Sequence, residues 1–394
     1  MPTDVPGLIA DVVEKFDADL IDLRRDLHAH PELSWSETRT TELVAARVAA
    51  AGWRVSRVER SGVVAELGTE GPLIALRADI DALPVQDLTE DPWRSTVPGV
   101  AHACGHDVHT AALIGAAFAL AEVHAAGHLP GRVRALFQPA EEVMPGGAIH
   151  FVETGVLDDV ERIFALHCDP GVDVGQVGLR LGPLTSAADR VEVRLTGTGG
   201  HTSRPHLTGD LTFALAKVTT ELPAVLSRRM DPRAGVSVVW GAIHAGAAAN
   251  VIPDHGQVSG TVRILDAVAW ADCEAIVREA VADIVRPYGV EASLDYQRGV
   301  PPVVNEPVSN RILGLAVQAV LGDHGQVIAP QSLGGEDFGW YLERIPGAMM
   351  RLGTRTPGGA TYDLHQGNLR VDERAVAIGA RLLAQAAVEA LPSR

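Results

Sequence analysis

At 394 residues the chain is long enough for two or three domains with a cleft between them, which excludes a small module held together by disulfides. Lysine and arginine number 33 against 50 aspartates and glutamates, and the net charge of −17 argues against a nucleic-acid partner or an anionic membrane surface. Three cysteines (Cys104, Cys168 and Cys273), with no basic start followed by an apolar stretch and a cleavage site, point to a reduced, cytoplasmic setting.

Apolar residues at helical spacing (Leu8, Val12, Val13, Phe16, Leu20 and Leu23) predict a helix over 8–23, and a second amphipathic helix is expected over 36–51. Short strands follow at 63–67 and 73–76. The stretch 108–123 is apolar nearly all round and predicts a buried helix; its Ala-rich part, 111–123, is interrupted by Glu122 and falls short of the ~20 residues of a membrane span. Strands at 133–137 and 163–166 complete the region. Strands alternating with helices predict an α/β catalytic domain with a largely parallel, helix-covered sheet, whose ligands lie beyond the carboxyl ends of the strands.

From 186 the pattern changes. A strand at 191–195, a helix at 210–226 that Pro223 should kink, strands at 236–243 and 257–265, a helix at 268–285 and a strand at 290–296 give the order βαββαβ. That is a ferredoxin-like α+β domain inserted at 186–298, splitting the catalytic domain into 1–185 and 299–394. The α/β style resumes with helices at 309–321 and 372–391 and a strand at 349–352 between them.

The segment Ala101-His102-Ala103-Cys104-Gly105-His106-Asp107-Val108-His109 puts a thiol and imidazoles two residues apart on a loop, a donor set suited to zinc or another borderline-soft divalent ion. It reads equally as a buried core cysteine beside histidines that cap a helix. In Phe137-Gln138-Pro139-Ala140-Glu141-Glu142 two adjacent carboxylates end a strand. Neighbouring side chains diverge, so one can bind metal while the other faces a water, although a solvated helix start has the same composition. His167 and His365 each leave an apolar run, and single histidines of that kind are commonly structural. His28, His30, His124, His128, His150 and His324 have no partner at ligand spacing and read as structural.

Together, Arg77-Ala78-Asp79-Ile80-Asp81-Ala82-Leu83-Pro84, His102 to Asp107, Phe137 to Glu142, Gly199-Gly200-His201, Asn250-Val251-Ile252-Pro253-Asp254 and Gly335-Glu336-Asp337-Phe338 resemble the M20 metallopeptidase family. The likeness is greatest to its amidohydrolase branch, the hippurate, N-acyl-amino-acid and auxin-conjugate hydrolases, and runs over nearly the whole chain. The resemblance implies Cys104, His106, Glu142, His167 and His365 as ligands of two divalent metal ions, Glu141 as general base and acid, and Asp81 as the aspartate that orients a ligand. Asp79 stands where other branches place a metal histidine. His201 matches an oxyanion-stabilising histidine that in family members reaches a neighbouring subunit, which implies a homodimer or higher oligomer. The tail departs from the family's His-x-Pro-x-Phe, reading His365-Gln366-Gly367-Asn368-Leu369, which leaves the acyl preference open.

The expected reaction is hydrolysis of an N-acyl amino acid, with zinc favoured by the thiolate and manganese, cobalt or nickel implied by the resemblance. Asn250 and Arg263 could bind the product carboxylate, although a structural salt bridge fits Arg263 as well, and His206 could face the pocket. A dipeptidase or carboxypeptidase would share every metal residue. Two further rivals are a binding protein on an inactive hydrolase fold, disfavoured by the presence of Glu141, and a metal-independent hydrolase using Cys104 and His106.

Overall fold

The computed structural model describes residues 4–392. It divides into two compact units, one of residues 1–184, 303–330 and 337–394, the other of 185–302 and 331–336. The sequence pattern places the short stretch 331–336 in the second part of the catalytic domain. This stretch joins the inserted unit through a bridge between Thr185 and Ser332 and a hydrogen bond from Ser186 Oγ to the Leu333 carbonyl at 2.9 Å.

The first unit is built on an eight-stranded sheet in the order Arg54–Arg57, Val63–Leu67, Arg132–Gln138, Leu73–Asp79, Val160–Asp173, Gly347–Arg355, Val177–Leu179 and Gln326–Ile328. Leu73–Asp79 pairs in parallel with both of its neighbours, and Val160–Asp173 pairs in parallel with Gly347–Arg355. Antiparallel pairs occur at one edge and between Gly347–Arg355 and Val177–Leu179. The expected largely parallel sheet is present. The strands that sequence reading lacked are the shortest ones, three or four residues long, in which a period of two has no length to show itself.

Pleating sorts the central strands into two faces. Ile74, Leu76 and Ala78, Val133, Ala135 and Phe137, and Phe164, Leu166 and Cys168 all enter a core covered by the helices Val5–Ala29, Thr38–Ala50, His106–Ala125, Pro307–Leu321 and Arg374–Ala390. Leu73, Ala75, Leu136, Ile163 and Ala165 face the other way, onto Phe151, Phe338 and Tyr341. Arg77, Asp79, Gln138 and His167 share the parity of this second set, so polar side chains gather on that face near the carboxyl ends of three adjacent strands. The helix His106–Ala125 is the one element among the described residues with the length and apolar composition of a membrane span; 72% of that window is buried, packed against Val5–Ala29 and Arg374–Ala390.

In the second unit the strands Ala187–Gly197, Ser237–Ala245, His255–Ile264 and Val290–Val300 form an antiparallel sheet, with Ser237–Ala245 and Val290–Val300 at its edges. Helices Leu211–Arg229 and Ala267–Val285 start on Asp210 and Asp266, whose carboxylates accept from Phe213 N and Ala269 N. The chain order βαββαβ and the strand order 4-1-3-2 are those of the expected ferredoxin-like fold. Pro223 lies inside one continuous helix.

Candidate metal centre

The centre is assembled at the carboxyl ends of the parallel strands. Asp79 ends one strand and Asp81 follows it, Glu141 and Glu142 follow the next, and His167 lies on a third. Cys104 and His106 come from the turn into the helix His106–Ala125. Gly105 caps that helix at φ +87°, and a Cβ there would lie 2.9 Å from Cys168 Sγ, so glycine is required both by conformation and by space.

Donor atoms of six residues from distant stretches of chain face one another. Cys104, His106 and His167, all buried, have ligand atoms within 4.8 Å of each other; so do Cys104, Glu142 and His365, and so do His106, Glu141 and Glu142. Cys104 Sγ is 3.5 Å from His167 Nε2, Glu142 Oε1 is 3.5 Å from His365 Nε2, and it is 3.8 Å from His106 Nε2. Two atoms each bound to one tetrahedral cation at about 2.1–2.3 Å stand about 3.4–3.8 Å apart, the separation seen here. His106 Nε2 and Glu142 Oε1 are buried and have no hydrogen-bond partner, an arrangement that is costly unless something else satisfies them. The donor set therefore fits divalent metal.

The imidazoles are oriented from behind. His106 Nδ1 donates to the Asp81 carbonyl at 2.9 Å and lies 3.3 Å from Asp81 Oδ1, leaving Nε2 directed at the cluster. His167 Nδ1 donates to the Cys168 carbonyl at 2.8 Å, again freeing Nε2. Asp81 also accepts from Ser34 Oγ at 2.7 Å and from the Glu142 backbone N–H at 3.0 Å, so a single carboxylate orients one imidazole and holds the strand end that carries Glu142. Burial pushes the Asp81 carboxyl up, but His106, Glu142 N–H and Ser34 together hold it below the usual range.

Burial dominates the electrostatics. It drives the Cys104 thiol well above its ordinary value and pushes the Glu142 carboxyl up to about 7 against the pull of His106. Burial would lower His106, yet Asp79 and Cys104 raise it well above an ordinary imidazole, while burial, with Arg351 second, keeps His167 neutral. A cation bound here would hold the thiolate and carboxylate ionised against that burial.

A buried polar layer that sequence reasoning missed lies beneath the centre. Arg77 donates through Nε to Gln138 Oε1 at 2.9 Å, through one terminal nitrogen to Asp79 at 2.6 Å and through the other to Asp337 at 2.7 Å. Burial pushes Asp79 up, but Arg77, with His106 and His109, holds it well below the carboxylate range. His109 Nδ1 meets Asp79 at 2.5 Å and its Nε2 accepts from Cys168 N–H at 2.8 Å, which places the ring proton on Nδ1. His109 lies three residues beyond His106 on one helix, so the shared face was the available signal. His28, read from sequence as structural, sits between two carboxylates. Nδ1 is 2.8 Å from Asp107 and Nε2 3.4 Å from Asp87, and although burial would lower the imidazole, Asp107 raises it overall.

The remaining site residues named from sequence belong to the second unit. His201, exposed, pairs with Val251 on a two-stranded ribbon, and Thr202 N–H donates to the Asn250 carbonyl at 3.2 Å, so His201 and Asn250 are neighbours. His206 is exposed on the turn Pro205–Leu207. Arg263, half-buried, lies eight residues along its strand from His255, about 27 Å at ~3.4 Å per residue, and pairs with Ala188 and Ser237.

Comparison with known proteins agrees with this geometry. The model for peptidase family M20/M25/M40 matches residues 75–389. A Rhodococcus jostii (strain RHA1) protein provisionally named glutamate–cysteine ligase 2-3 is 49% identical over 366 residues, 92% of this chain and 46% of that protein, so the chain spans less than half that relative's length. The N-acetyl-L-cysteine deacetylase of Bacillus subtilis (strain 168) is 38% identical over 95% of this chain and 88% of its own. Among solved structures, the Bacillus subtilis YXEP protein, described as a dinuclear metal binding peptidase, is 35% identical with a TM-score of 0.83, over 95% of this chain and 98% of that one. The chain belongs to peptidase family M20/M25/M40.

Proposed function

We propose that the chain is a metal-dependent amidohydrolase that cleaves N-acyl amino acids. Cys104, His106, Glu142, His167 and His365 hold two divalent cations, and Glu141 carries the proton. The observation that carries this reading is the set of donor atoms facing one another at 3.5–3.8 Å, with His106 Nε2 and Glu142 Oε1 buried and without hydrogen bonds. The substrate class is supported by the name of the N-acetyl-L-cysteine deacetylase and the metal pair by the description of the YXEP protein.

Bound cations would supply Lewis acidity that lowers the pKa of a water and polarises the amide carbonyl, and the Cys104 thiolate favours zinc among zinc, manganese, cobalt and nickel. Glu141 takes a proton from the water as its oxygen bonds to the carbonyl carbon. It returns that proton to the nitrogen as the C–N bond breaks, so one water is consumed and a carboxylic acid and an amino acid leave. His201 Nδ1 accepts from Ser203 N–H at 3.1 Å, which puts the ring proton on Nε2, the form needed to donate to the developing oxyanion. Such a donor contributes about 3 kcal/mol. Asn250, beside it, is the proposed partner of the substrate carboxylate. The open edge strand Ser237–Ala245, with Val239 and Ile243 exposed, supports pairing with a second copy.

A panel of N-acetyl and aryl-acyl amino acids and dipeptides, assayed before and after chelation, tests the reading. Turnover of the acyl amino acids should vanish with the metal and return on adding zinc, manganese, cobalt or nickel. Faster dipeptide cleavage would move the assignment to a dipeptidase, and activity indifferent to chelation would remove the metal centre.

The altered tail motif supplies a second prediction. His365 sits at φ +63°, its N–H donates to the Ala103 carbonyl at 2.7 Å, and a Cβ on Gly367 would collide with the Gln86 carbonyl oxygen. Gly367 thus lets this loop dock where a bulkier residue would push it and His365 away. Gly367→Ala should weaken metal retention about 10–100-fold, as loss of a ligand-orienting contact does, measured by competition with a chromogenic chelator. Unchanged retention would free His365 from this constraint.

A further inference from the structure

Glu37 is completely buried at the start of the helix Thr38–Ala50, where a glutamate ordinarily serves its own helix, yet its side chain makes no capping hydrogen bond. The carboxylate instead crosses to two other segments: Oε2 accepts from Ser61 Oγ at 2.7 Å and Oε1 from the Ala140 backbone N–H at 2.8 Å. Ala140 has φ +56°, the left-handed region that costs a residue with a β-carbon about 1–2 kcal/mol. From its other side the Ala140 carbonyl accepts from Gly147 N–H at 2.9 Å. The next two residues are Glu141 and Glu142, and the Glu142 N–H is held separately by Asp81 at 3.0 Å.

Burying a carboxylate is expensive, and an apolar residue of similar volume commonly gives equal or greater stability. A buried hydrogen-bonding side chain at position 37 therefore asks for a reason other than stability, and the strained peptide it grips lies immediately before the proposed proton carrier. We propose that Glu37 is a positioning residue for Glu141: by holding the Ala140 amide in its left-handed conformation it sets the direction in which the next side chain leaves the backbone, while Asp81 sets Glu142 independently. This inference rests on the reading of Glu141 as the group that moves the proton.

The test compares four variants with whichever N-acyl amino acid the wild-type chain turns over. Glu37→Leu removes the acceptor and should lower kcat about 100-fold, the cost of roughly 1 Å of misplacement, with KM and metal content unchanged. Glu37→Gln should stay within about threefold of wild type, because its amide oxygen still accepts from Ala140 and its amide nitrogen donates to Ser61 Oγ. Glu37→Asp keeps the charge but loses the reach and should lose at least about tenfold, which keeps the test open should the leucine variant not fold. Ser61→Ala removes the other hydrogen bond and should lower the melting temperature while sparing kcat. Equal kcat in the Leu or Asp variant and wild type, or a kcat loss in Ser61→Ala that matches theirs, would overturn the proposal. A crystal structure of Glu37→Leu decides the same point without any substrate. Ala140 should leave the left-handed region and Glu141 should shift while Glu142 stays, and an unmoved Glu141 would refute the positioning role. A wild-type chain that hydrolyses no amide would instead remove the proposed function and leave this structural result standing.

Discussion

Glu141→Gln is expected to leave the fold and metal content unchanged and to lower kcat by about 10²–10⁴-fold, the usual worth of a positioned general base and acid. Glu141 and Glu142 lie in the turn beyond the strand Arg132–Gln138, and Glu142, with Oε1 near both His106 and His365, is the member of the pair committed to the donor cluster. Glu141 has its carboxylate within 4.8 Å of ligand atoms on His106 and Glu142, and nothing in the ligand geometry requires it as a sixth donor. An amide of the same shape keeps the packing and removes the ability to accept a proton, so the loss should fall on kcat, with KM little changed. Metal analysis by mass spectrometry alongside steady-state kinetics checks both halves. A near-normal rate would take the proton-transfer role from Glu141, and lost metal would make it a ligand. Mixing this variant with His201→Ala adds a test of assembly. If His201 serves a site on another copy of the chain, mixed dimers carry one intact site and partial activity returns, whereas verified heterodimers without recovery place both residues in one copy's site.

The residues proposed to hold metal were legible because their chemistry is rare and their position regular. Cys104 with His106, the pair Glu141–Glu142, and His167 all lie at or just beyond the carboxyl ends of strands whose apolar runs are plain in the sequence. What supports them was not legible. Arg77 meets Asp337 across 260 positions, and Gln138 bonds the same carboxylate across 199; no local period connects such residues, and a buried arginine has the same letter as a solvated one. Glu37 was invisible for a similar reason, since a glutamate at a helix start is the commonest of surface residues. The helix Gly147–Glu153 was missed because seven residues give barely two turns of pattern, and its first glycine approaches the Pro139 carbonyl too closely to tolerate a Cβ.

Arg77→Met is expected to be the most destabilising single substitution considered, at about 3–5 kcal/mol, because it breaks a buried ion cluster from its centre. Arg77, Asp79 and Asp337 are all fully buried, and the guanidinium donates to both carboxylates and to Gln138. Methionine matches much of the lost volume but leaves two buried carboxylates without the guanidinium they share. The damage should reach the metal centre by two routes. Asp79 holds His109, whose Nε2 fixes the Cys168 N–H next to His167. Asp337 accepts from Gln138 Nε2 at 2.7 Å and from Ala148 N–H at 2.9 Å, securing the loop that follows Glu142. Unfolding followed by circular dichroism should show a fall of roughly 5–15 °C in melting temperature for the first unit. Adding Asp79→Asn to Arg77→Met should recover part of that loss, since it removes one of the two uncompensated charges, although Asp79→Asn alone destabilises the wild-type chain. That reversal of sign separates an electrostatic cluster from simple packing: if the two substitutions merely add, the layer beneath the metal centre is held by shape and not by the balance of one cation against two anions.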